Sequence, residues 1–219
     1  MHELRSGLWH WRAGHPDWSS EEPWEREVSS YAADDGSRLL LFDPLAVPGE
    51  LLELAAQREP VIVLTAPWHE RDAHDLVERL GAAVYAPPAD TAEDLIGKYA
   101  VTAEQAGDGS PDLKWLRDGG GDANWYGAGD TLPFGIEAFE GREHNDLVLW
   151  LERHRAVIAG DSLADFGDGI AIQPQWLRKG VTRGQVAAGL RPLLDHPVEL
   201  VLPAHGDPTD RAALERALA

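Results

Sequence analysis

The five residues Val61 to Thr65 (VIVLT) constrain the fold more than any other stretch. A continuous apolar run of strand length, rather than an alternating one, reads as a strand covered on both faces. Its neighbours fit that reading. Arg38 to Asp43 (RLLLFD) is an apolar strand entered from a DDGS turn and ended by Asp43-Pro44. Pro48 to Gln57 places Leu51, Leu52 and Leu54 at short-helix spacing. Asp72 to Leu80 reads as a helix, with Leu76, Val77 and Leu80 on one side and Gly81 as its stop. Ala83 to Ala86 (AVYA) is another short strand, halted by Pro87-Pro88. Strand, helix, strand, helix, strand is an α/β order.

The second half changes character. Thr102 to Gly129 is rich in Gly, Asp and Trp without periodicity, so it reads as irregular with one or two strands. Ile136 to Phe139, Leu147 to Leu151 and Val157 to Ala159 follow as strands, the last leading into Gly160-Asp161. Arg183 to Leu194 is an amphipathic helix, Val198 to Leu202 a strand and Thr209 to Leu218 a closing helix. Two rounds of strands with flanking helices, the second mostly antiparallel, predict an α/β (α+β) fold of two sheets sandwiched by helices. No linker or solenoid-length repeat divides the 219 residues, so 1–219 read as a single domain. Residues 1–27 form a Trp-rich segment packed on it, where Trp9, Trp11, Trp18 and Trp24 could wall a pocket or a homodimer contact.

Composition excludes several classes of function. A net charge of −19 repels phosphates and argues against a nucleic-acid or anionic-membrane partner. No stretch approaches the roughly 18–20 apolar residues of a membrane span. Met1 to Trp11 lacks the pattern of a signal peptide, so a cytoplasmic protein is the simplest expectation. With no cysteine there are no disulfides and no thiolate ligands.

Four local signatures carry the chemistry. A strand ending in Leu64-Thr65 meets a short polar loop and then a helix. Gly141-Arg142-Glu143-His144-Asn145-Asp146 precedes the strand LVLWL. A third strand ends in Gly160-Asp161, and Leu202-Pro203-Ala204-His205-Gly206 follows VELVL. In order, spacing and strand context this resembles the metallo-β-lactamase superfamily over about residues 28 to 210. There the first loop carries HxHxDH, a histidine follows a glycine, an aspartate ends a strand as GD, and the last histidine sits in an xHG turn. The resemblance implies an αββα sandwich with a metal site at the sheet edge. Imidazoles and carboxylates there hold one or two ions that activate water for hydrolysis.

The ligand positions are largely replaced. Laid on HxHxDH, the loop reads Ala66-Pro67-Trp68-His69-Glu70-Arg71, so Ala66 and Trp68 stand where two histidines would be. Glu70 takes the aspartate position and Arg71 the last histidine. Arg142 takes the second signature's histidine, with His144 two residues on. Asp161 and His205 match outright, and Asp161 is the candidate catalytic residue.

Three readings follow. In the first, the chain is a non-catalytic, ligand-binding homologue without a cofactor. Its cleft of Trp68, Glu70, Arg71, Arg142, Asp161 and His205 then takes a small molecule, with arginines supplying the metal's charge. In the second, one zinc, iron or manganese ion remains on a set drawn from His69, Glu70, His144, Asp161 and His205, giving a metal-dependent hydrolase of esters, thioesters or similar substrates. In the third, Gly160-Asp161-Ser162-Leu163 is the GDSL signature of serine esterases with Ser162 as nucleophile. That family places the motif near the N-terminus and needs DxxH, whereas Leu202 lies three before His205. Ser162 then reads as a turn cap. His74 and His154 read as surface residues and His196 as structural.

Overall fold

The computed structural model describes residues 1–119 and 123–219. Seven strands hydrogen-bond in chain order in the first sheet: β1 (His2–Arg5), β2 (Leu8–Gly14), β3 (Glu27–Asp34), β4 (Arg38–Phe42), β5 (Glu59–Val63), β6 (Ala83–Ala86) and β7 (Ala123–Trp125). The pairs from β1 to β4 are antiparallel and those from β4 to β7 are parallel. Parallel neighbours need crossovers, and α1 (Gly49–Ala55) and α2 (Ala73–Leu80) supply two of them. A third comprises α3 (Ala92–Tyr99), α4 (Ala103–Ala106) and α5 (Lys114–Arg117).

The second sheet contains β8 (Thr131–Leu132), β9 (Ile136–Glu143), β10 (Asp146–Leu151), β11 (Ala156–Gly160), β14 (Leu200–Pro203) and β15 (Thr209–Asp210). A separate ribbon pairs β12 (Ala164–Asp165) with β13 (Ile170–Ala171). All pairs in the second sheet are antiparallel except β11 with β14, whose connection carries α6 (Arg183–Leu190). The last element is α7 (Arg211–Ala217).

Alternation along β5 distributes the core. Val61 and Val63 join Tyr31, Phe42, Leu147, Leu149 and Ile158 between the two sheets. Ile62 and Leu64 pack outward with Leu51, Ala55, Ala73 and Leu76 under α1 and α2. The run is therefore apolar throughout because both its faces are covered. On the far side, Val148, Trp150, Val157 and Val201 pack beneath Val186, Leu190, Leu214 and Leu218 of the closing helices. Four layers result, helix–sheet–sheet–helix. Among the described residues no helix is long and apolar enough to cross a membrane.

Local signals work where the chemistry is explicit. Gly81 ends α2 at φ 65, and Thr182 caps α6 reciprocally with Gln185. Several sequence expectations need correction. The Trp-rich start is not only packed against the domain, because β1 and β2 form the edge of its first sheet. The segment expected to be irregular with one or two strands holds the strand β7 but also two short helices, α4 and α5, with residues 120–122 outside the described ones. His154 is buried and not a surface residue, and its carbonyl accepts from Arg5 Nη1 at 2.7 Å. Trp150 is fully buried against His196, with ring centroids 4.9 Å apart. Removing so large a side chain from a packed layer leaves a cavity, so we predict that Trp150→Ala costs about 3–5 kcal/mol in urea unfolding.

Candidate functional site

Three strand ends converge. The chain leaves β5 through Leu64-Thr65 into a single 3-10 turn, Pro67–His69. It leaves β11 at Gly160, whose φ of 53 turns it sharply into Asp161. It leaves β14 through Ala204 to His205 and Gly206. The glycines answer crowding as well as conformation. A Cβ on Gly160 would meet Thr65 Oγ1 at 3.0 Å, and one on Gly206 would meet Asp165 Cβ at 2.6 Å. Gly141 on β9 has no room for a Cβ, which would overlap Ser162 Oγ and the Asp146 carbonyl.

The Asp161 carboxylate is the centre. Its Oδ1 lies 3.1 Å from His69 Nε2 and 3.3 Å from His205 Nε2. Its Oδ2 accepts from Trp68 Nε1 at 2.9 Å and from Arg142 Nη2 at 3.1 Å. His69 continues the network, with Nδ1 3.0 Å from Asp43 Oδ2 and 2.9 Å from Thr65 Oγ1. The backbone N–H and the hydroxyl of Thr65 also donate to Asp43, at 2.8 and 2.7 Å. Arg142 is held on several sides. Nε donates to Asp146 Oδ2 at 2.7 Å, Nη1 to the Trp176 carbonyl at 2.9 Å, and the guanidinium carbon sits 5.3 Å from the ring centres of both Trp68 and Trp176.

Charge and burial set the protonation states. Burial alone would lower the pKa of His69, but the flanking carboxylates Asp161 and Asp43 raise it to about 9, so it is an imidazolium at neutral pH. Burial lowers the pKa of His205 despite the contact with Asp161, leaving that ring neutral. Burial acts to raise Asp161, yet the charge of His69 and the bonds from His205 and His69 hold it well below the usual carboxylate range. Asp43 is also lowered, burial being outweighed by His69 and Arg71. Asp146 goes the other way. Complete burial pushes it up to about 6 against the pull of Arg142.

The structure thus brings Trp68, His69, Arg142, Asp161 and His205 together. They share a cavity of about 400 Å³ with His15, Trp24, Arg71, Tyr99, Glu143 and Trp176. His69, Asp161 and His205 present ligand-competent atoms within 4.8 Å of one another. Other expected residues turn elsewhere. Glu70 accepts from the Leu113 N–H at 2.7 Å, at the start of α5. His144 lies near Asp90 and Asp94 instead. Arg71 lines the cavity but bonds no carboxylate among the described residues. Ser162 is wholly buried, donating to Asp146 Oδ2 at 3.0 Å and accepting from the Arg142 N–H at 2.9 Å. It is a strut beneath Arg142, neither a turn cap nor an exposed nucleophile.

Comparison with solved structures gives the fold a name. The chain superposes on DIM-1 metallo-β-lactamase with a TM-score of 0.63 at 14% identity, covering 99% of this chain and 93% of that one. The metallo-β-lactamase from Erythrobacter litoralis gives 0.63 at 13% identity with the same coverage, and VMB-1 gives 0.63 at 14%. The chain has the metallo-β-lactamase fold. No protein-family model matches the sequence, and no curated protein matches it. Identity this low carries the metallo-β-lactamase architecture and not an activity.

Sequence reasoning missed Asp43, Asp146 and Trp176. Asp43-Pro44 was visible as a strand stop, but nothing in it announced a partner for His69. Asp146 lay inside the quoted second signature, four residues after Arg142. Because His69 titrates near 9 when folded and near 6.5 ordinarily, its contribution is complete below about pH 6.5 and lost as pH rises through 9. We therefore predict that the urea midpoint of the parent falls across that window. His69→Gln should be less stable at pH 6 and flat over the same range, as followed by fluorescence.

Proposed function

We propose that this chain is a metal-independent small-molecule-binding protein, a non-catalytic homologue built on a metallo-β-lactamase scaffold. One observation carries the reading: the Asp161 carboxylate is bonded to Trp68, His69 and Arg142, with His205 Nε2 3.3 Å from its Oδ1. A carboxylate has about four lone-pair sites, and three of them are already taken by N–H donors. Two of the donors, the Trp68 indole and the Arg142 guanidinium, have no lone pair to offer a metal in exchange. His69 is engaged by acids at both nitrogens and carries a proton where a ligand needs a free pair. The two-ion arrangement fits still less, since Ala66 and Trp68 stand in two of its ligand positions. What remains open to a ligand is a cavity walled by Trp24, Trp68, Tyr99 and Trp176.

A single-ion reading has one observation in its favour, the closeness of the donor atoms of His69, Asp161 and His205. It requires Asp161 Oδ1 to release both imidazoles and His69 to lose its proton. An ion held there would make a bound water acidic enough for hydrolysis near neutral pH.

Elemental analysis and melting decide between them. For untagged protein we predict fewer than about one zinc, iron or manganese per two chains and a melting temperature unmoved by EDTA, because an ion that binds only the folded state raises it by mass action. Stoichiometric metal, with a fall of several degrees on chelation, would establish the single-ion hydrolase instead.

A further inference from the structure

Arg71 is the cation of this site that contacts no carboxylate among the described residues. Its three hydrogen bonds all leave from Nη1, to the Ser29 carbonyl at 3.0 Å, the Ser30 hydroxyl at 3.2 Å and the Asp43 carbonyl at 2.6 Å. These acceptors are neutral, so nearby Asp43 acts on the group through its charge and not through a direct bond from its carboxylate. Nε is buried without a partner. The acids around it are committed elsewhere. Asp43 pairs with His69, Asp161 with His69 and Arg142, Glu70 with the Leu113 N–H, and Asp72 with the Ala46 N–H.

Arg71 also holds a left-handed backbone, φ 42, which a non-glycine residue keeps only where its surroundings over-determine it. It lines the central cavity and a neighbouring one of about 270 Å³, as do His15 and Trp68. A part-buried guanidinium with an orphaned donor is unfavourable unless something supplies the missing acceptor. Nε and Nη2 together form the edge of a guanidinium that matches the two oxygens of a carboxylate. At Arg71 that edge is the part left over.

The geometry points to Arg71 as the anchor for the carboxylate of a small planar organic acid whose apolar body lies against Trp24, Trp68 and Trp176. The inference rests on the metal-independent reading and names the ligand class for that cavity. A monoanion suits the site better than a phosphate ester. Only one guanidinium edge is free, Arg142 is already paired, and a chain of net charge −19 opposes a dianion more strongly.

The test uses the full, EDTA-treated chain with 2-naphthoate, its neutral analogue 2-naphthamide and inorganic phosphate, followed by calorimetry and tryptophan quenching. We expect saturable naphthoate binding at least about tenfold tighter than naphthamide, and weaker binding of phosphate. R71Q should lose about tenfold or more on naphthoate while leaving naphthamide within about twofold. R71K, which keeps the charge but not the two-pronged edge, should fall between them and decides the matter if R71Q does not fold. Three results would overturn the inference: no saturable naphthoate binding, equal affinity for acid and amide, or R71K and R71Q binding naphthoate like the parent. Phosphate binding as tightly as naphthoate overturns the carboxylate assignment. Naphthoate binding that appears only after zinc is restored would sink the metal-independent reading itself. Metal-free binding indifferent to Arg71 sinks only this inference.

Discussion

Everything at the open end of the sandwich depends on keeping the Asp161 carboxylate ionised while it is buried. An unpaired carboxylate in that position would have to protonate or draw in water. Instead the acids and cations alternate in a line: Asp43, His69, Asp161, Arg142, Asp146. Each cation touches two acids and the central acid touches both cations. Breaking such a buried pair from one side typically costs on the order of 3–5 kcal/mol, far more than an exposed pair is worth, because a charge is left stranded. The line also ties together the loops after β4, β5 and β11 with the β9–β10 hairpin, which are remote in sequence. Removing one member therefore disturbs the relative placement of several loops as well as the charge balance.

The aromatic residues close the same site from outside. Trp68 and Trp176 flank Arg142, and Trp24 and Trp176 meet His205 edge-on with ring centroids 4.6 and 5.1 Å away. Excluding water from a guanidinium strengthens its pairing with Asp161 and Asp146. The same indoles provide the apolar wall of the cavity. Trp24 reaches it from the long connection between β2 and β3, so the Trp-rich start contributes both a sheet edge and part of the site.

Much of this was legible in the sequence, unevenly and for identifiable reasons. VIVLT announced a strand covered on both faces because burial removes the need for polar alternation. The glycine-aspartate and histidine-glycine strand ends singled out Asp161 and His205, whose Oδ1 and Nε2 lie 3.3 Å apart, since a sharp turn at a strand end has a residue signature. The loop after β5 was harder. An alternating HxHxDH pattern predicts which positions face a metal, but Pro67–His69 winds as a 3-10 turn and brings the adjacent residues Trp68 and His69 to Asp161 together. Glu70, which the pattern aims inward, goes to Leu113, while Arg71 lines the cavity but is tied through Nη1 to two backbone carbonyls and the Ser30 hydroxyl. Asp43 and Asp146 were invisible as partners because nothing local distinguishes a buried acid from a turn acid. Only the three-dimensional pairing does.

On the metal-independent reading proposed above, covalently attached cations stand where a divalent ion would, and this changes how the site can respond. A metal supplies its charge by mass action and can be removed by chelation. Arg142 supplies a charge at any working pH, whereas His69 supplies one only below about pH 9. Guanidinium and imidazolium also bring directed N–H donors, and these fill the lone pairs of Asp161 that an open coordination site would leave for water. On the same reading, a centre so filled is better placed to hold shape than to activate a nucleophile. The chemistry left facing the cavity is then that of its rim: indole surfaces, the neutral His205 ring and the Arg71 guanidinium, which contacts no carboxylate among the described residues. Under the proposed reading, those groups would recognise a ligand by shape and charge, which is how this arrangement would favour binding over hydrolysis.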